Sequence, residues 1–184
     1  MRRRALMTLA FTAAVAAPAH AQPARPQNVI EQLIDRLAAT GRGADIFVQI
    51  ATSGNNFEIE SSRLLLARSA HPQIRDYAQR MIEQHGTMAE ILGALPEAST
   101  RTPGAMNDSH TDRLLTLRRQ ESVDMLNRYY VEQQVEAHEW AVRAYETFAE
   151  NGEVPALKAY AQRFLPMMRE HLQAARALQL PRTE

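Results

Sequence analysis

Hydrophobic residues recur at steps of three and four in four long stretches of the chain, a pattern that predicts amphipathic helices. These stretches cover about residues 44–69, 72–94, 120–150 and 154–179. A shorter stretch, 29–40, follows Asn28, a residue type that caps helix N-termini, and precedes Gly41 and Gly43, which favour a helix end. Because no stretch alternates with the period of two that a half-buried strand requires, the pattern predicts an all-α chain.

Two of the breaks between the long stretches are short, and each contains a residue that interrupts a helix. Pro72 breaks the pattern after the first stretch, and Asn151-Gly152 ends the third. Short links place consecutive helices side by side and antiparallel. Residues 44–181 are therefore predicted to form an up-down four-helix bundle. Residues 22–43 form a Pro-rich leader followed by a short extra helix.

The link between the second and third long stretches is longer, and it leaves two courses open. Turn-forming residues mark a loop at about 95–107, which is either a turn or a longer crossover. After it, Asp108 or Ser109 could cap a further helical segment that reaches Leu117 and leads into the third long helix.

The first 21 residues have the three parts of an export signal. A basic start, MRRR, precedes the apolar run ALMTLAFTAAVAA, and a small-x-small cleavage site stands at Ala19-His20-Ala21. The run is shorter than the roughly 20 residues that a membrane-spanning helix needs. We therefore expect an exported mature chain, periplasmic or associated with the cell envelope, without a transmembrane segment. A retained N-terminal anchor is the alternative, and Arg3-Arg4 leaves twin-arginine export open.

Charge and cysteine content limit the partners and the ligands that the chain can offer. The formal net charge is zero. The chain therefore lacks the basic excess that would indicate nucleic-acid binding. An envelope protein or a second copy of the chain remains as a possible partner. The chain has no cysteine. Any metal site must therefore use histidine, carboxylate or methionine.

Each long stretch places one potential metal ligand on its hydrophobic face, namely Glu58, His85, His138 or His171. Glu58 lies about 12 residues before the first short link and His85 about 14 after it, so at about 1.5 Å per residue their levels agree within roughly 3 Å. The same estimate separates His138 from His171 by roughly 7 Å, or less if Pro166 kinks its helix.

Two interpretations account for these four residues, because a buried carboxylate or imidazole needs a partner. In the first, they bind a transition metal ion, such as Zn, Cu or Fe. In the second, they pair with one another inside a non-enzymatic structural or interaction module of the cell envelope, whose neutral histidines would respond to pH. A redox or peroxide-handling enzyme is a third interpretation, but no nucleophile, phosphate-loop or HExxH motif assigns an enzyme activity.

Other residues near these positions have ordinary explanations beside the functional ones. Glu60 could turn inward as a helper. His71 and His110 fall in breaks and are predicted to be solvated. Four methionines near the histidines could bind Cu(I), although methionine is also common core filler. They are Met81, Met88, Met167 and Met168.

Four segments of the chain resemble a family of exported bacterial domains of unknown function that is assigned to the ferritin-like fold and often labelled "predicted outer membrane protein". The segments are FVQIATSGNNFEIESSRLLLARS (47–69), IRDYAQRMIEQHGTM (74–88), YYVEQQVEAHEWAVRAYETFAENG (129–152) and LKAYAQRFLPMMREHLQAA (157–175). The resemblance implies a ferritin-like four-helix bundle, and the residues that the family pattern retains fall on Glu58, His85, His138 and His171.

The Glu-x-x-His step of ferritin-like di-metal proteins is absent from this chain. The residues three positions before His85, His138 and His171 are Ile82, Val135 and Met168. A single-metal site, a histidine-rich site or no metal at all therefore fits the sequence better than a di-iron centre does.

Overall fold

The computed structural model describes residues 29–40, 43–101 and 105–178, which contain seven helices and no strand. The predicted signal sequence, the leader, and the helix-capping roles of Asn28 and Gly41 lie outside the described residues. Among those that are described, no helix combines the length and apolar character that crossing a membrane requires.

The helices follow the hydrophobic periodicity closely. They are α1 (Val29–Thr40), α2 (Ala44–Leu66), α3 (Pro72–Gly93), α4 (Pro96–Ser99), α5 (Asp108–Arg118), α6 (Val123–Asn151) and α7 (Pro155–Ala177). The four long stretches correspond to α2, α3, α6 and α7, whose ends differ from the predicted ones by three residues or fewer. The loop predicted at 95–107 contains the short helix α4, and the further segment is α5.

Local chemistry sets the helix ends. Pro72 and Pro155 occupy the first turns of α3 and α7. Backbone N–H groups in a first turn have no intrahelical partner, so proline costs no hydrogen bond there. Asn107, rather than Asp108 or Ser109, caps α5 by accepting a hydrogen bond from the backbone of His110. Gly152 follows the last residue of α6. A Cβ there would lie 2.6 Å from the Phe148 carbonyl oxygen, so glycine is the residue that fits without a shift.

The long helices pack as two antiparallel hairpins, α2 with α3 and α6 with α7. The hairpins meet where α2 contacts α6 and α3 contacts α7, which closes a ring of four helices. The short helix α1 packs on α6 and α2, and α5 packs mainly on α2 with a smaller contact to α6. The all-α expectation is confirmed, and the arrangement is a helical bundle.

The core of the bundle consists of two apolar clusters. One is built around Phe47, Phe148 and Tyr160, and the other around Leu65 and Tyr130. On each long helix, buried polar residues fall between the positions that contribute to the two clusters. We call these residues the polar belt, and they are Asn55, Glu58, His85, Gln134, His138 and His171. The belt contains all four predicted site residues.

Candidate metal centre

Three helices bring their histidines together in the polar belt. His85 on α3, His138 on α6 and His171 on α7 are 3%, 1% and 2% exposed. Their ring centroids lie 5.6 Å apart for His85–His138 and 5.2 Å apart for the other two pairs. One nitrogen from each ring lies within 4.8 Å of the other two. Three imidazoles at this spacing could hold one metal ion.

The backbone fixes the tautomer of His138. Its Nδ1 lies 2.9 Å from the carbonyl oxygen of Gln134, one turn earlier on α6. A carbonyl oxygen only accepts, so Nδ1 carries the proton and donates it. In the neutral ring, Nε2 then has a free lone pair, and this atom lies 3.3 Å from Nδ1 of His171.

His171 is held in the complementary way. Its Nε2 hydrogen-bonds to the side-chain oxygen of Gln84 on α3. With the amide in this orientation, Nε2 donates and Nδ1 retains its lone pair. The facing nitrogens of His138 and His171 are then both acceptors, and no hydrogen lies between them.

A hydrogen-bond chain fixes the tautomer of His85. The Tyr160 hydroxyl donates to the Met88 carbonyl oxygen at 3.1 Å and accepts from the Asn55 side-chain nitrogen at 3.5 Å. The Asn55 oxygen therefore points to His85, whose Nδ1 donates to it at 2.9 Å. Nε2 of His85 is left as an acceptor, and this buried atom has no hydrogen-bond partner.

Each of the three rings thus donates a hydrogen bond from one nitrogen to a protein acceptor and keeps a lone pair on the other, and one nitrogen of each ring lies within 4.8 Å of the other two. Converging lone pairs repel one another unless a proton or a cation lies among them. Metal-binding histidines have this arrangement, in which the second ring nitrogen donates to a carbonyl or carboxylate and so fixes the ring. The residues present therefore fit a metal ion.

Burial keeps the three imidazoles neutral near pH 7. It lowers the pKa of His138 to about 4, and it lowers the pKa of His171 to about 3 together with the neighbouring His138 and Arg80. Burial also places the pKa of His85 well below its usual 6.5, and the other two histidines lower it further. Neutral imidazole is the form that binds metals.

Glu58, the fourth predicted ligand, lies on α2 beside His138, outside the group of three histidines whose ligand atoms lie within 4.8 Å of one another. Its Oε1 is 3.8 Å from Nδ1 of His138, and its buried Oε2 has no hydrogen-bond partner. Burial raises the pKa of Glu58 to about 8, and the neighbouring Gln134 side chain offsets part of that shift. Since Glu58 and His138 are both neutral at pH 7, their contact is not an ion pair.

The other residues considered from the sequence lie elsewhere. Glu60 pairs with Arg63 at 2.7 Å on the surface, so it does not turn inward. Met81, Met88 and Met168 belong to the apolar clusters, and Met167 packs against one of them. These methionines therefore serve as core filler. His71 is half-buried.

The prediction that His110 is solvated is wrong. The residue is 4% exposed, hydrogen-bonds to the Ser53 hydroxyl at 2.7 Å and stacks on the Phe57 ring at a centroid distance of 4.8 Å. Burial, assisted by Arg113, lowers its pKa to about 3. The sequence places His110 just after a break, and only the packing of α5 on α2 buries it.

Asn55 and Gln84, which hold two of the three rings, were not identified from the sequence. Both lie on the long helices, and Asn55 falls on the inward face three residues before Glu58. A polar residue at an inward position was the available signal for Asn55. Gln84 is half-buried and directly precedes His85, so nothing in the pattern distinguishes it from a surface glutamine.

Comparison with known proteins gives one match. Residues 35–178 match the family model described as Domain of unknown function (DUF4142). The matched region includes all three clustered histidines and Glu58. No curated protein and no solved structure matches the chain.

Proposed function

The chain belongs to the DUF4142 family of domains of unknown function, and we propose that it is an exported, ferritin-like helical-bundle protein that binds one transition-metal ion through His85, His138 and His171. One observation carries the proposal. Three buried imidazoles each bring one nitrogen within 4.8 Å of the other two, while a protein acceptor holds one nitrogen of each ring.

The donor set favours a divalent ion of the later first-row metals. Imidazole nitrogens without thiolates suit Zn, Cu or Fe. Three imidazoles leave at least one coordination position for another ligand. Because a buried divalent charge needs a compensating anion, Glu58 is assigned as the carboxylate that ionises when the metal binds. It then acts as the partner of His138, whose Nδ1 lies 3.8 Å from its Oε1.

Two further features support the ferritin-like fold and the export of the chain in this proposal. The contacts of α2 with α6 and of α3 with α7, without comparable contacts of α3 with α6 or of α2 with α7, have the pairing of a bundle whose second and third long helices are joined by a crossover, as in ferritin-like proteins. The basic start, apolar run and cleavage site within residues 1–21 support export to the periplasm or cell envelope.

The rival function is a non-enzymatic module with internally paired histidines. The 3.3 Å distance between Nε2 of His138 and Nδ1 of His171 favours it. Reversing the Gln84 amide would let its nitrogen donate to Nε2 of His171, so that Nδ1 of His171 could donate to Nε2 of His138 across the observed 3.3 Å. This network satisfies two rings without a metal. It still leaves Nε2 of His85 unpaired.

Metal analysis of the full chain, purified without a histidine tag, tests the proposal. After reconstitution with Zn, Cu or Fe and removal of loosely bound ions, we expect about one tightly bound ion per chain. His85→Ala, His138→Ala and His171→Ala should each remove it. His110→Ala is the matched control, since it removes a buried imidazole outside the cluster. A wild-type protein that retains no stoichiometric metal overturns the proposal.

A further inference from the structure

A cavity lies against the histidine cluster. It has about 30 Å³ of space open to the centre of a water molecule, and its apolar walls include Ile50, Trp140, Tyr145 and Met168. A single water needs roughly 10–15 Å³ on this measure, so the cavity has room for about two water-sized groups. That room matches a molecule of two or three heavy atoms.

Polar groups of the candidate metal centre also line the cavity. Glu58, His85 and His138 all border it. The two buried side-chain atoms Oε2 of Glu58 and Nε2 of His85 have no hydrogen-bond partner in the protein. Two of the residues that border the cavity therefore carry a buried polar atom without a partner in the protein. A molecule inside it could contact both a bound metal and a hydrogen-bonding group.

Gly54 on α2 borders the same cavity, although a glycine is unfavourable there. In a helix interior, glycine is less favourable than alanine by about 0.8–1.0 kcal/mol. Close packing does not require glycine at this position, because a Cβ on Gly54 would meet no atom within 4 Å. The missing side chain instead leaves the cavity open beside the histidines.

We propose that this cavity binds an exogenous ligand of two or three heavy atoms, uncharged or singly negative, which occupies the open coordination position of the metal. The proposal rests on the metal site proposed above. The metal would bind one end of the ligand, and the apolar walls would enclose the rest. The cavity size would set the specificity.

Azide binding to the protein loaded with Co²⁺ tests this inference, because the visible spectrum of Co²⁺ reports both metal binding and a change of ligands. We expect azide to change the spectrum in a saturable way. Gly54→Leu should fill the cavity and weaken azide binding at least 10-fold, with the azide-free spectrum and the Co²⁺ affinity unchanged. Gly54→Ala, which improves helix propensity and should fold well, should weaken azide binding less.

Gly86→Leu and Gly86→Ala are the matched controls. Gly86 also lies within a long helix, a Cβ there also meets no atom within 4 Å, and it does not border the cavity. Both variants should bind azide within about 2-fold of wild type. A normal Co²⁺ spectrum that azide leaves unchanged overturns the ligand site alone, as does equal weakening by the Gly54 and Gly86 variants. Absence of a Co²⁺ spectrum overturns the metal site and this inference together.

Discussion

Asn55 holds His85 through a chain that ends on a backbone carbonyl, so its oxygen must face the imidazole. Acceptors behind metal-binding histidines typically contribute 10- to 100-fold to metal affinity. We therefore expect Asn55→Ala to weaken metal binding by roughly 10- to 100-fold without changing the stoichiometry at saturation. Competition against a chelator of known affinity measures this change.

Ser62→Ala provides the control for Asn55→Ala. It removes a buried hydrogen bond of 2.8 Å to Tyr130, a residue of the other apolar cluster, and so imposes a comparable structural loss away from the histidines. If both variants weaken metal binding equally, Asn55 contributes only to stability and does not orient His85.

Glu58 makes the metal-free protein less stable at alkaline pH. Its pKa is raised from the ordinary 4.5 to about 8, so the unfolded chain releases the proton at lower pH than the folded chain does. This contribution to stability is fully present below pH 4.5 and is lost as pH rises through about 8. We expect Glu58→Gln to abolish the loss, which is on the order of a few kcal/mol.

Urea unfolding of the chelator-treated protein at pH 6.5 and pH 8.5 measures the effect of Glu58. Between pH 6.5 and pH 8.5 the wild type should lose stability relative to Glu58→Gln, because the buried histidines contribute equally to the pH dependence of both proteins. Glu60→Gln, which changes a surface carboxylate on the same helix, should behave as the wild type does. A wild type whose stability changes between the two pH values as that of Glu58→Gln does would show that the Glu58 carboxyl is hydrated or paired.

Pro166 lies inside α7, five residues before His171. A proline in a helix interior lacks the N–H that would bond to the carbonyl four residues earlier and destabilises the helix by about 3 kcal/mol. We expect Pro166→Ala to stabilise the metal-free protein by roughly 1–3 kcal/mol. We also expect it to weaken metal binding, because a regular α7 would shift His171 relative to His138.

Pro155→Ala is the control for the Pro166 variant. Pro155 occupies the first turn of the same helix, where proline is well tolerated, so its replacement should change neither quantity much. Thermal melting measures the stability, and chelator competition measures the metal affinity. A Pro166→Ala protein that is stabilised and binds metal as tightly as the wild type would show that Pro166 does not determine the position of His171 in the metal site.

At the scale of helices, hydrophobic periodicity predicted α1, α2, α3, α6 and α7, because each buries a continuous apolar face. It missed α4, whose four residues are too few to show a period. The level estimate separated His138 from His171 by roughly 7 Å because it assumed straight helices that start at equal heights. In the folded chain, their facing nitrogens lie 3.3 Å apart.

Features that depend on contacts between helices could not be predicted from one sequence. His110 is buried only because α5 packs on α2, and the sequence does not specify that contact. The same limit applies to Glu58. Periodicity places it on the inward face, but only the folded chain shows its carboxyl behind His138, next to the nitrogen that donates to Gln134.

For the molecule as a whole, the polar belt interrupts what would otherwise be one continuous apolar core. Replacing apolar side chains by imidazoles, amides and a carboxyl forgoes roughly 1.5–3 kcal/mol of hydrophobic burial at each large position. A bundle that served only as a scaffold would be more stable with apolar residues at the positions of the polar belt. The belt is therefore better explained by a ligand than by structural need, and metal binding should restore part of the lost stability.

The pH dependence of melting follows from the same belt. In the metal-free protein, unfolded histidines take up protons below about pH 6.5, whereas folded His138 resists protonation to about pH 4 and His110 and His171 to about pH 3. Stability should therefore fall as pH drops below 6.5, while Glu58 lowers it as pH rises toward 8. Near pH 6.5 the metal-free melting temperature should be highest.

Metal should change that profile in a way the rival module cannot. An ion at 100 times its dissociation constant adds about 2.7 kcal/mol, which corresponds to roughly 5–10 °C for a chain of this size. The gain should shrink as pH falls below about 8, because Glu58 must release its proton when the metal binds, and a chelator should remove it. Calorimetry from pH 5 to 8.5, with metal or with chelator, measures both effects, and His171→Ala should lose the metal-dependent part alone. Identical melting curves with metal and with chelator at every pH would favour internally paired histidines, since only a bound ion makes the folded state sensitive to a chelator.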